Sequence, residues 1–209
     1  MRQKLFNKKM SNRVKIFQTS ENSFLKLAQT LGRPISSRRN SPIIDIITPK
    51  RKEDAHPQSI SKKIGLGRLP YHTDGAYFKI PPRYILLRCK EVGENQVPTQ
   101  IVDVMRFATK DELFELGFRT WKVSSRGGTF YSPILNKNIL RYDLNIMQPY
   151  SKLDDNTSII KNIIKRTSPI EITWEAGKTI LLDNWACLHA RPEVSENSIN
   201  RILQRIMIL

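Results

Sequence analysis

The chain of 209 residues is long enough for one domain with a sizeable core and too short for two full domains. Its hydrophobic content of 39% lies within the globular range, and no stretch approaches the roughly 20 apolar residues that span a bilayer. The basic start, MRQKLFNKKM, lacks the apolar run of a secretory signal. Cys89 and Cys187 lie in apolar surroundings that suggest no disulfide framework. These features predict a cytoplasmic protein with no membrane association.

The net charge of +16 is spread unevenly along the chain. Residues 1–70 carry 16 lysines and arginines against 4 acidic residues, a balance of +12, whereas residues 71–209 carry 19 against 15. Such a basic excess can bind phosphates, so a nucleic acid is a conceivable partner. A solvated surface is the commoner explanation, and no aromatic residues interleave with the charges to stack on bases. The sequence therefore does not favour a nucleic-acid partner.

The first predicted element is a helix that Ser20 or Ser23 could cap at its start and that ends at Gly32. Apolar residues recur there at the three-and-four spacing of an amphipathic helix: Phe24, Leu27, Ala28 and Leu31. Residues 42–48 then predict a short β-branched strand, and residues 50–70 a polar loop of a length that is often functional. We thus expect a single domain, residues 1–209, in which residues 1–40 form a basic helical segment and residues 41–209 the core.

The rest of the chain predicts short strands with few helices. The predicted strands are residues 84–89, 99–104, 130–131, 139–147, 170–174, 179–182 and 201–209. The predicted helices are residues 111–116 and 153–167. This pattern is typical of a mainly β (α+β) fold with an antiparallel double-sheet or jelly-roll core and a few flanking helices.

The first candidate site is the pattern His72-Thr73-Asp74. Residues i and i+2 of a strand point to the same face, so His72 and Asp74 can reach one metal ion while Thr73 points away. Of the two other histidines, His56 lies in a polar loop, whereas His189 lies in an apolar strand and turn where an unpartnered imidazole would be costly. Two imidazoles and one carboxylate are the ligand set that leaves one face of Fe(II) open to dioxygen.

Two alternatives to an iron site stay open on the residues alone. A His-x-Asp pattern is common by chance, and a single histidine is more often a core or surface residue than a ligand. Zinc is the rival metal, because two histidines and a carboxylate also suit catalytic zinc. The sequence has no helical HExxH motif, which favours iron over zinc.

Arg201 and Arg205 follow the second histidine and stand four residues apart on the predicted terminal strand. Both are therefore expected to face the same side, with Leu203 between them. Their neighbours are apolar, so an ordinary basic surface strand explains them poorly, and arginines in such a strand need anionic partners. Because a guanidinium can pair with a carboxylate through two hydrogen bonds, Arg201 could anchor an acidic co-substrate beside the metal.

These residues belong to longer blocks that follow one another in a recognisable order. The blocks are residues 69–77 (LPYHTDGAY), 81–89 (PPRYILLRC), 141–143 (RYD), 183–191 (DNWACLHAR) and 201–205 (RILQR). In this order and spacing they resemble the taurine dioxygenase-like iron(II)/2-oxoglutarate-dependent oxygenases, including the clavaminate synthase-like branch. The resemblance covers roughly residues 40–209. The chain is shorter than most members of that family, which often carry long lids over the site.

The resemblance implies a double-stranded β-helix (jelly-roll) core with His72, Asp74 and His189 as the iron ligands and catalytic centre. It implies a dioxygenase that hydroxylates, desaturates or cyclises at an unactivated C–H bond and converts 2-oxoglutarate and O2 to succinate and CO2. Asp74 sets the chain apart from the halogenating variants of this fold, in which a small residue replaces the carboxylate.

The resemblance also implies where the co-substrate binds. Arg201 matches the residue that pairs with the distal carboxylate of 2-oxoglutarate, and Thr99 matches a threonine that hydrogen-bonds the same group. Arg205 matches a second arginine near the co-substrate or the substrate.

For the substrate, we favour a small polar metabolite, an amino acid or a derivative, as the clavaminate synthase-like branch suggests. Arg141 and Asp143 could contact its charged groups, although a buried structural ion pair explains them equally well. Ser59 and Ser61, in the loop before the His-x-Asp pattern, are candidate lid contacts. Two other functions stay open, namely the same chemistry on a nucleic acid held by the basic N-terminal third, and an inactive jelly-roll protein that uses the metal only as a structural element.

Overall fold

The computed structural model describes residues 12–57, 59–94, 97–125 and 127–209. In that part of the chain the strands are β1 (Val14–Gln18), β2 (Pro34–Ile35), β3 (Asp45–Ile47), β4 (Leu69–His72), β5 (Tyr84–Glu91), β6 (Thr99–Asp103), β7 (Trp121–Ser125), β8 (Gly128–Ser132), β9 (Leu135–Asn136), β10 (Ile139–Leu140), β11 (Met147–Pro149), β12 (Ile170–Ile172), β13 (Lys178–Asp183), β14 (Cys187–Arg191) and β15 (Ile202–Ile208). The α-helices are α1 (Glu21–Leu31), α2 (Ile60–Ile64), α3 (Val104–Phe107), α4 (Lys110–Phe118) and α5 (Thr157–Arg166). None of these helices has the length and apolar character needed to cross a membrane. The prediction of a mainly β protein with few helices is confirmed.

Two antiparallel sheets carry the fold. The larger sheet has the strand order β1-β13-β5-β15-β2, and β3 also pairs with β15. The smaller sheet has the order β12-β6-β14-β4. A three-stranded sheet, β11-β7-β8, and the pair β9–β10 form separate sheets that pack against the outer face of the smaller sheet. Most neighbours in the two main sheets are distant in sequence, so the pairing gathers residues from the whole chain around one interior.

The alternation of side chains along each strand defines that interior. On β5 of the larger sheet, Leu87 and Cys89 belong to a buried cluster that also contains Ile101 from β6 of the smaller sheet. Leu86 points the other way and packs in the cluster around α1. The cluster shared by β5 and β6 therefore lies between the two sheets, and α1 covers the outer face of the larger one.

The same alternation decides where the histidine of β14 points. Cys187 belongs to the cluster between the sheets, whereas Leu188 and Ala190 belong to the cluster on the outer face of the smaller sheet. Because residues two apart share a face, His189 and Arg191 face the interior together with Cys187.

The helix predicted after Ser20 is present as α1. The Ser20 hydroxyl accepts a hydrogen bond from the backbone N–H of Ser23 at 3.2 Å, and the Ser23 side chain bonds the Ser20 backbone in return, which forms a capping box. Phe24 and Ala28 are fully buried against the larger sheet. The sequence periodicity thus identified both the helix and its buried face.

The larger sheet also extends into the segment before residue 40. Strand β1 pairs with β13, and β2 pairs with β15. Residues 14–35 therefore contribute two strands as well as the predicted helix, while residues 1–11 of the predicted basic segment lie outside the described residues. Of β1, Val14 is buried between the sheets and the half-buried Phe17 packs against the cluster around α1.

Two local predictions were wrong. The continuous strand predicted for residues 139–147 is two short strands, β10 and β11, joined by a turn. The turn forms because Asp143 Oδ1 accepts a hydrogen bond from the backbone N–H of Asn145 at 2.9 Å, a local bond that competes with strand pairing. The loop predicted for residues 50–70 contains the short helix α2 and the start of β4.

Candidate metal centre and co-substrate pocket

Three predicted donor residues meet between the two sheets. His72 ends β4, and His189 lies directly opposite it on the antiparallel strand β14. Nε2 of His72 is 3.6 Å from Oδ1 of Asp74, and Nε2 of His189 is 3.6 Å from Oδ2. One donor atom from each residue lies within 4.8 Å of the other two. The structure therefore brings together the two imidazoles and the carboxylate on which the sequence-based prediction depends.

The backbone around the His-x-Asp turn is held by polar contacts. The Asn184 side chain accepts from the Asp74 N–H at 3.0 Å and donates to the Asp74 carbonyl at 2.9 Å. Thr73 bonds the backbone of Tyr142. Because β4 ends at His72, Thr73 and Asp74 lie in a turn and not in the strand that the sequence predicted. Gly75 has a φ of 65°, and a Cβ there would lie 2.6 Å from Cδ of Pro82, so the turn requires glycine.

The imidazole of His72 presents its Nε2 atom to the site for a local reason. Its Nδ1 lies 2.9 Å from the carbonyl oxygen of Pro70, which accepts the Nδ1–H. The lone pair then resides on Nε2, on the side of Asp74. Nδ1 of His189 is buried and has no hydrogen-bond partner among the described residues.

For His189 and Asp74, the electrostatics favour the protonation states that bind metals. Burial and the neighbouring His72 lower the pKa of His189 to about 3, so this imidazole is neutral. Burial alone would raise the pKa of Asp74, but the Arg205 guanidinium and the two imidazoles hold it well below its usual range. A neutral imidazole and an ionised carboxylate are the forms that act as ligands. The donor set fits Fe(II), as predicted, and its chemistry alone does not exclude zinc.

The guanidinium of Arg201, the residue predicted to bind the co-substrate, also lies in the interior. Arg201 is only 3% exposed, and burial lowers the pKa of its guanidinium to about 10. Its Nη1 donates to the carbonyl of Val97, while its buried Nε has no partner among the described residues. Arg201 forms no ion pair with a carboxylate in the described part of the chain. Such a buried charge is costly unless an anion neutralises it.

Thr99 is the first residue of β6 and is buried. Its hydroxyl accepts a hydrogen bond from the indole N–H of Trp174 at 3.1 Å. Alternation along β6 places Thr99 on the same face as Ile101, which lies in the cluster between the sheets. The hydroxyl therefore belongs to the same interior as the three metal donors.

Comparison with solved structures identifies the fold. An asparagine oxygenase in complex with Fe(II), 2S,3S-3-hydroxyasparagine and succinate superposes with a TM-score of 0.71 at 17% sequence identity, over 90% of this chain and 63% of that one. The non-haem iron oxygenase OrfP, in complex with Fe and alpha-ketoglutaric acid, gives a TM-score of 0.71 at 15% identity, over 98% of this chain and 76% of that one. The chain has the fold of the non-haem iron oxygenases. The predicted resemblance is thereby confirmed at the level of the fold.

Sequence comparison identifies a distant relative among characterised proteins. The 3-((Z)-2-isocyanoethenyl)-1H-indole synthase of Fischerella ambigua (strain UTEX 1903) is 25% identical over 175 residues, which cover 68% of this chain and 64% of that protein. No family model matches the sequence. The chain thus spans less than two thirds of the length of this relative and of the asparagine oxygenase.

The predicted substrate residues lie on the turn between β10 and β11. The buried guanidinium of Arg141 donates to the carbonyls of Ala76, Phe78 and Lys79, which follow the His-x-Asp turn. Its terminal nitrogens are thus already used to hold that segment in place. Asp143 is half-buried, and its negative charge contributes to raising the pKa of His72.

The predicted lid serines lie at the start of α2. Ser59 precedes the helix and donates its hydroxyl hydrogen bond to the carbonyl of His56 at 2.8 Å. Ser61 lies within α2, and its carbonyl accepts the backbone N–H of Gly65. Their contact with a substrate stays a prediction.

Sequence reasoning assigned no role to three residues that support the site: Asp45, Trp174 and Asn184. Asn184 lies inside one of the blocks that resemble the oxygenases, directly after a buried strand, and this position could have indicated that it supports the site. Asp45 and Trp174 lie in segments interpreted only as strands. Their polar partners, Arg205 and Thr99, are more than 70 residues away in sequence.

Proposed function

We propose that the protein is an Fe(II)/2-oxoglutarate-dependent dioxygenase that oxidises an unactivated C–H bond of a small polar metabolite, an amino acid or a derivative. The observation that carries this proposal is the meeting of His72, Asp74 and His189 within 4.8 Å. It is supported by the buried Arg201, which has no anionic partner in the described part of the chain. The two antiparallel sheets and the cluster they share support a double-stranded β-helix (jelly-roll) core in a single catalytic domain.

Each group of residues has a defined task in this proposal. His72, Asp74 and His189 would hold the iron, which, when bound, supplies the activation of dioxygen coupled to the conversion of 2-oxoglutarate to succinate and CO2. Arg201 would pair with the distal carboxylate of 2-oxoglutarate, and the Thr99 hydroxyl would donate a hydrogen bond to it. The apolar side chains between the sheets exclude water from this interior, which strengthens both polar contacts.

The preference for an amino acid rests on the structural neighbours and on one residue. The asparagine oxygenase was crystallised with hydroxyasparagine, and OrfP with (3S)-hydroxy-L-Arg. In this chain, Asp143 carries a half-buried carboxylate whose charge contributes to raising the pKa of His72, and Asn145 donates both of its hydrogen bonds to Oδ1 of that carboxylate. An ammonium or guanidinium group of a substrate would find a charged partner there.

Anaerobic reconstitution with Fe(II) and 2-oxoglutarate tests the proposal. We expect the weak visible charge-transfer band of a chelated 2-oxoglutarate, and we expect it to be lost in His189→Ala and Arg201→Ala. A wild-type protein without the band, or variants that keep it, would contradict the proposal. A screen of amino acids for substrate-dependent succinate release then identifies the substrate and separates an active enzyme from a protein that only binds metal.

A further inference from the structure

Arg205 joins the metal-donor residue Asp74 to a second carboxylate, Asp45. Its Nη1 lies 2.8 Å from Oδ1 of Asp74, while Nε and Nη2 lie 3.2 Å and 2.9 Å from Oδ2 of Asp45. The side chains of Arg205, Asp45 and Asp74 are 19%, 15% and 8% exposed. In so buried a setting these charged hydrogen bonds are stronger than pairs at the surface.

The position of Arg205 is itself fixed. β3 pairs with β15, and Asp45 lies directly opposite Arg205 in that pairing. The other oxygen of Asp45 accepts a hydrogen bond from the Ser37 hydroxyl at 2.8 Å. Leu203 and Met207, on either side of Arg205 along β15, belong to the cluster between the sheets. Arg205 is therefore held on the larger sheet and reaches across the interior to a turn of the smaller one.

This contact makes the two oxygens of Asp74 unequal. Each oxygen lies 3.6 Å from Nε2 of one histidine, but only Oδ1 also accepts the Arg205 hydrogen bond, whereas Oδ2 has no hydrogen bond among the described residues. A carboxylate that binds a metal through both oxygens occupies one coordination position more than a carboxylate that binds through one. The two-histidine, one-carboxylate site needs its remaining positions for the co-substrate and dioxygen.

We propose that Arg205 is a positioning residue that holds Oδ1 of Asp74, so that the carboxylate offers the metal a single oxygen, and that Asp45 fixes Arg205 in this role. The inference rests on the proposed function because it assumes a metal at the three donors. Its consequence is that Arg205 and Asp45 keep a coordination position free for 2-oxoglutarate.

A direct role for Arg205 in binding an anionic ligand is the competing explanation. The geometry disfavours it, because Nε and Nη2 already face Asp45 and the guanidinium charge is opposed by two carboxylates. The two explanations differ for Asp45→Asn. If Arg205 binds an anionic ligand directly, loss of the opposing Asp45 charge should raise the affinity for that ligand. If Arg205 orients Asp74, the same loss should leave the Arg205 side chain less well held and disturb the metal site.

Co(II) is the probe, because its visible d–d spectrum reports coordination number at the same ligands. Titrations on the full chain measure Co(II) affinity, the Co(II) spectrum without co-substrate, and 2-oxoglutarate affinity of the Co(II)-loaded protein. The variants are Arg205→Gln and Asp45→Asn, with Arg205→Lys because a lysine cannot hold both carboxylates as the guanidinium does. Glu112→Gln is the matched control, since it removes an Arg–carboxylate pair between α4 and α5.

We expect Arg205→Gln to bind Co(II) with an altered spectrum and to bind 2-oxoglutarate about tenfold or more weakly, the usual cost of losing a partner of a metal ligand. Asp45→Asn and Arg205→Lys should show the same changes to a smaller extent, and Glu112→Gln neither. Unchanged spectra in all three site variants, or tighter 2-oxoglutarate binding by Asp45→Asn, would overturn the inference. Failure of the wild type to bind Co(II) would instead count against the proposed function. Thermal unfolding of each variant identifies any that does not fold. The Co(II) spectra and 2-oxoglutarate affinities of the folded variants then test the inference.

Discussion

The indole N–H of Trp174 donates a hydrogen bond to the hydroxyl oxygen of Thr99 at 3.1 Å, with both side chains buried between the sheets. An indole N–H is only a donor, so Thr99 must be the acceptor in this pair. The hydroxyl proton of Thr99 is therefore free to be donated to another group. A carboxylate bound at Arg201 would be such an acceptor. Trp174 would then orient the Thr99 hydroxyl toward that carboxylate.

Trp174→Phe tests this relationship. The substitution keeps an aromatic ring but removes the donor, so the Thr99 hydroxyl can turn away from a bound carboxylate. We expect the affinity for 2-oxoglutarate to fall several-fold, since a net hydrogen bond contributes about 1 kcal/mol. Isothermal titration of the metal-loaded protein measures the change. Trp121→Phe is the matched control, because Trp121 is equally buried and its indole bonds Asn156 instead. Equal losses in the two variants would mean that Trp174 acts only through packing.

Arg201→Met should weaken the binding of 2-oxoglutarate without lowering the stability of the fold. The guanidinium is buried, and in the described part of the chain its only hydrogen-bond acceptor is the carbonyl of Val97. Replacing an unpaired buried charge by an apolar side chain of similar length is often neutral or stabilising. We therefore expect the melting temperature to stay the same or rise. The affinity for 2-oxoglutarate should fall more than about tenfold, since a buried arginine–carboxylate contact is among the stronger hydrogen bonds in proteins. A large drop in melting temperature would show that Arg201 serves the fold.

Metal affinity should depend on pH in one direction. Burial lowers the pKa of His72, but its hydrogen bond and charge interaction with Asp74 outweigh burial and raise it above the ordinary 6.5. Because the proton must leave before the imidazole can bind, affinity should fall as the pH drops through that raised pKa and level off above it. Co(II) titrations between about pH 5.5 and 8, the range in which histidines titrate, measure the effect. Affinity that is constant over this range would contradict it.

Asn184→Ala should weaken both the fold and the metal site. The side chain is fully buried and makes three hydrogen bonds, to the N–H and carbonyl of Asp74 and to the carbonyl of Pro82. Its loss leaves these backbone groups unpaired, so we expect a cost of roughly 2–3 kcal/mol in unfolding free energy. Co(II) affinity should fall as well, because the Asp74 backbone is released. Asn156→Ala, a buried asparagine bonded to Trp121 and Glu115, should lower stability without changing Co(II) affinity.

The basic N-terminal third yields a prediction about nucleic acids. If it only provides a solvated surface, binding to RNA or DNA should be weak and independent of sequence at physiological salt. Fluorescence anisotropy across a salt series measures the number of phosphate contacts from the slope of log K against log salt. Tight binding with a steep slope, together with nucleic-acid-dependent succinate release, would instead support the nucleic acid as the substrate.

The sequence by itself determined the features whose signal is local. The mainly β class follows from the many short β-branched runs, and α1 follows from a capping serine and apolar spacing. The three candidate metal donors could be chosen because histidines are few and Asp74 stands two residues after one of them. These rules need no knowledge of which strands pair.

The tertiary structure decided which distant residues support those donors. Arg205 reaches Asp45 because β3 and β15 pair, Trp174 reaches Thr99 because β12 and β6 pair, and Asn184 reaches the Asp74 backbone across the sheets. Each of these contacts joins residues at least 75 positions apart. Strand order and register depend on how the two sheets bury their shared apolar faces, and no local periodicity encodes that choice.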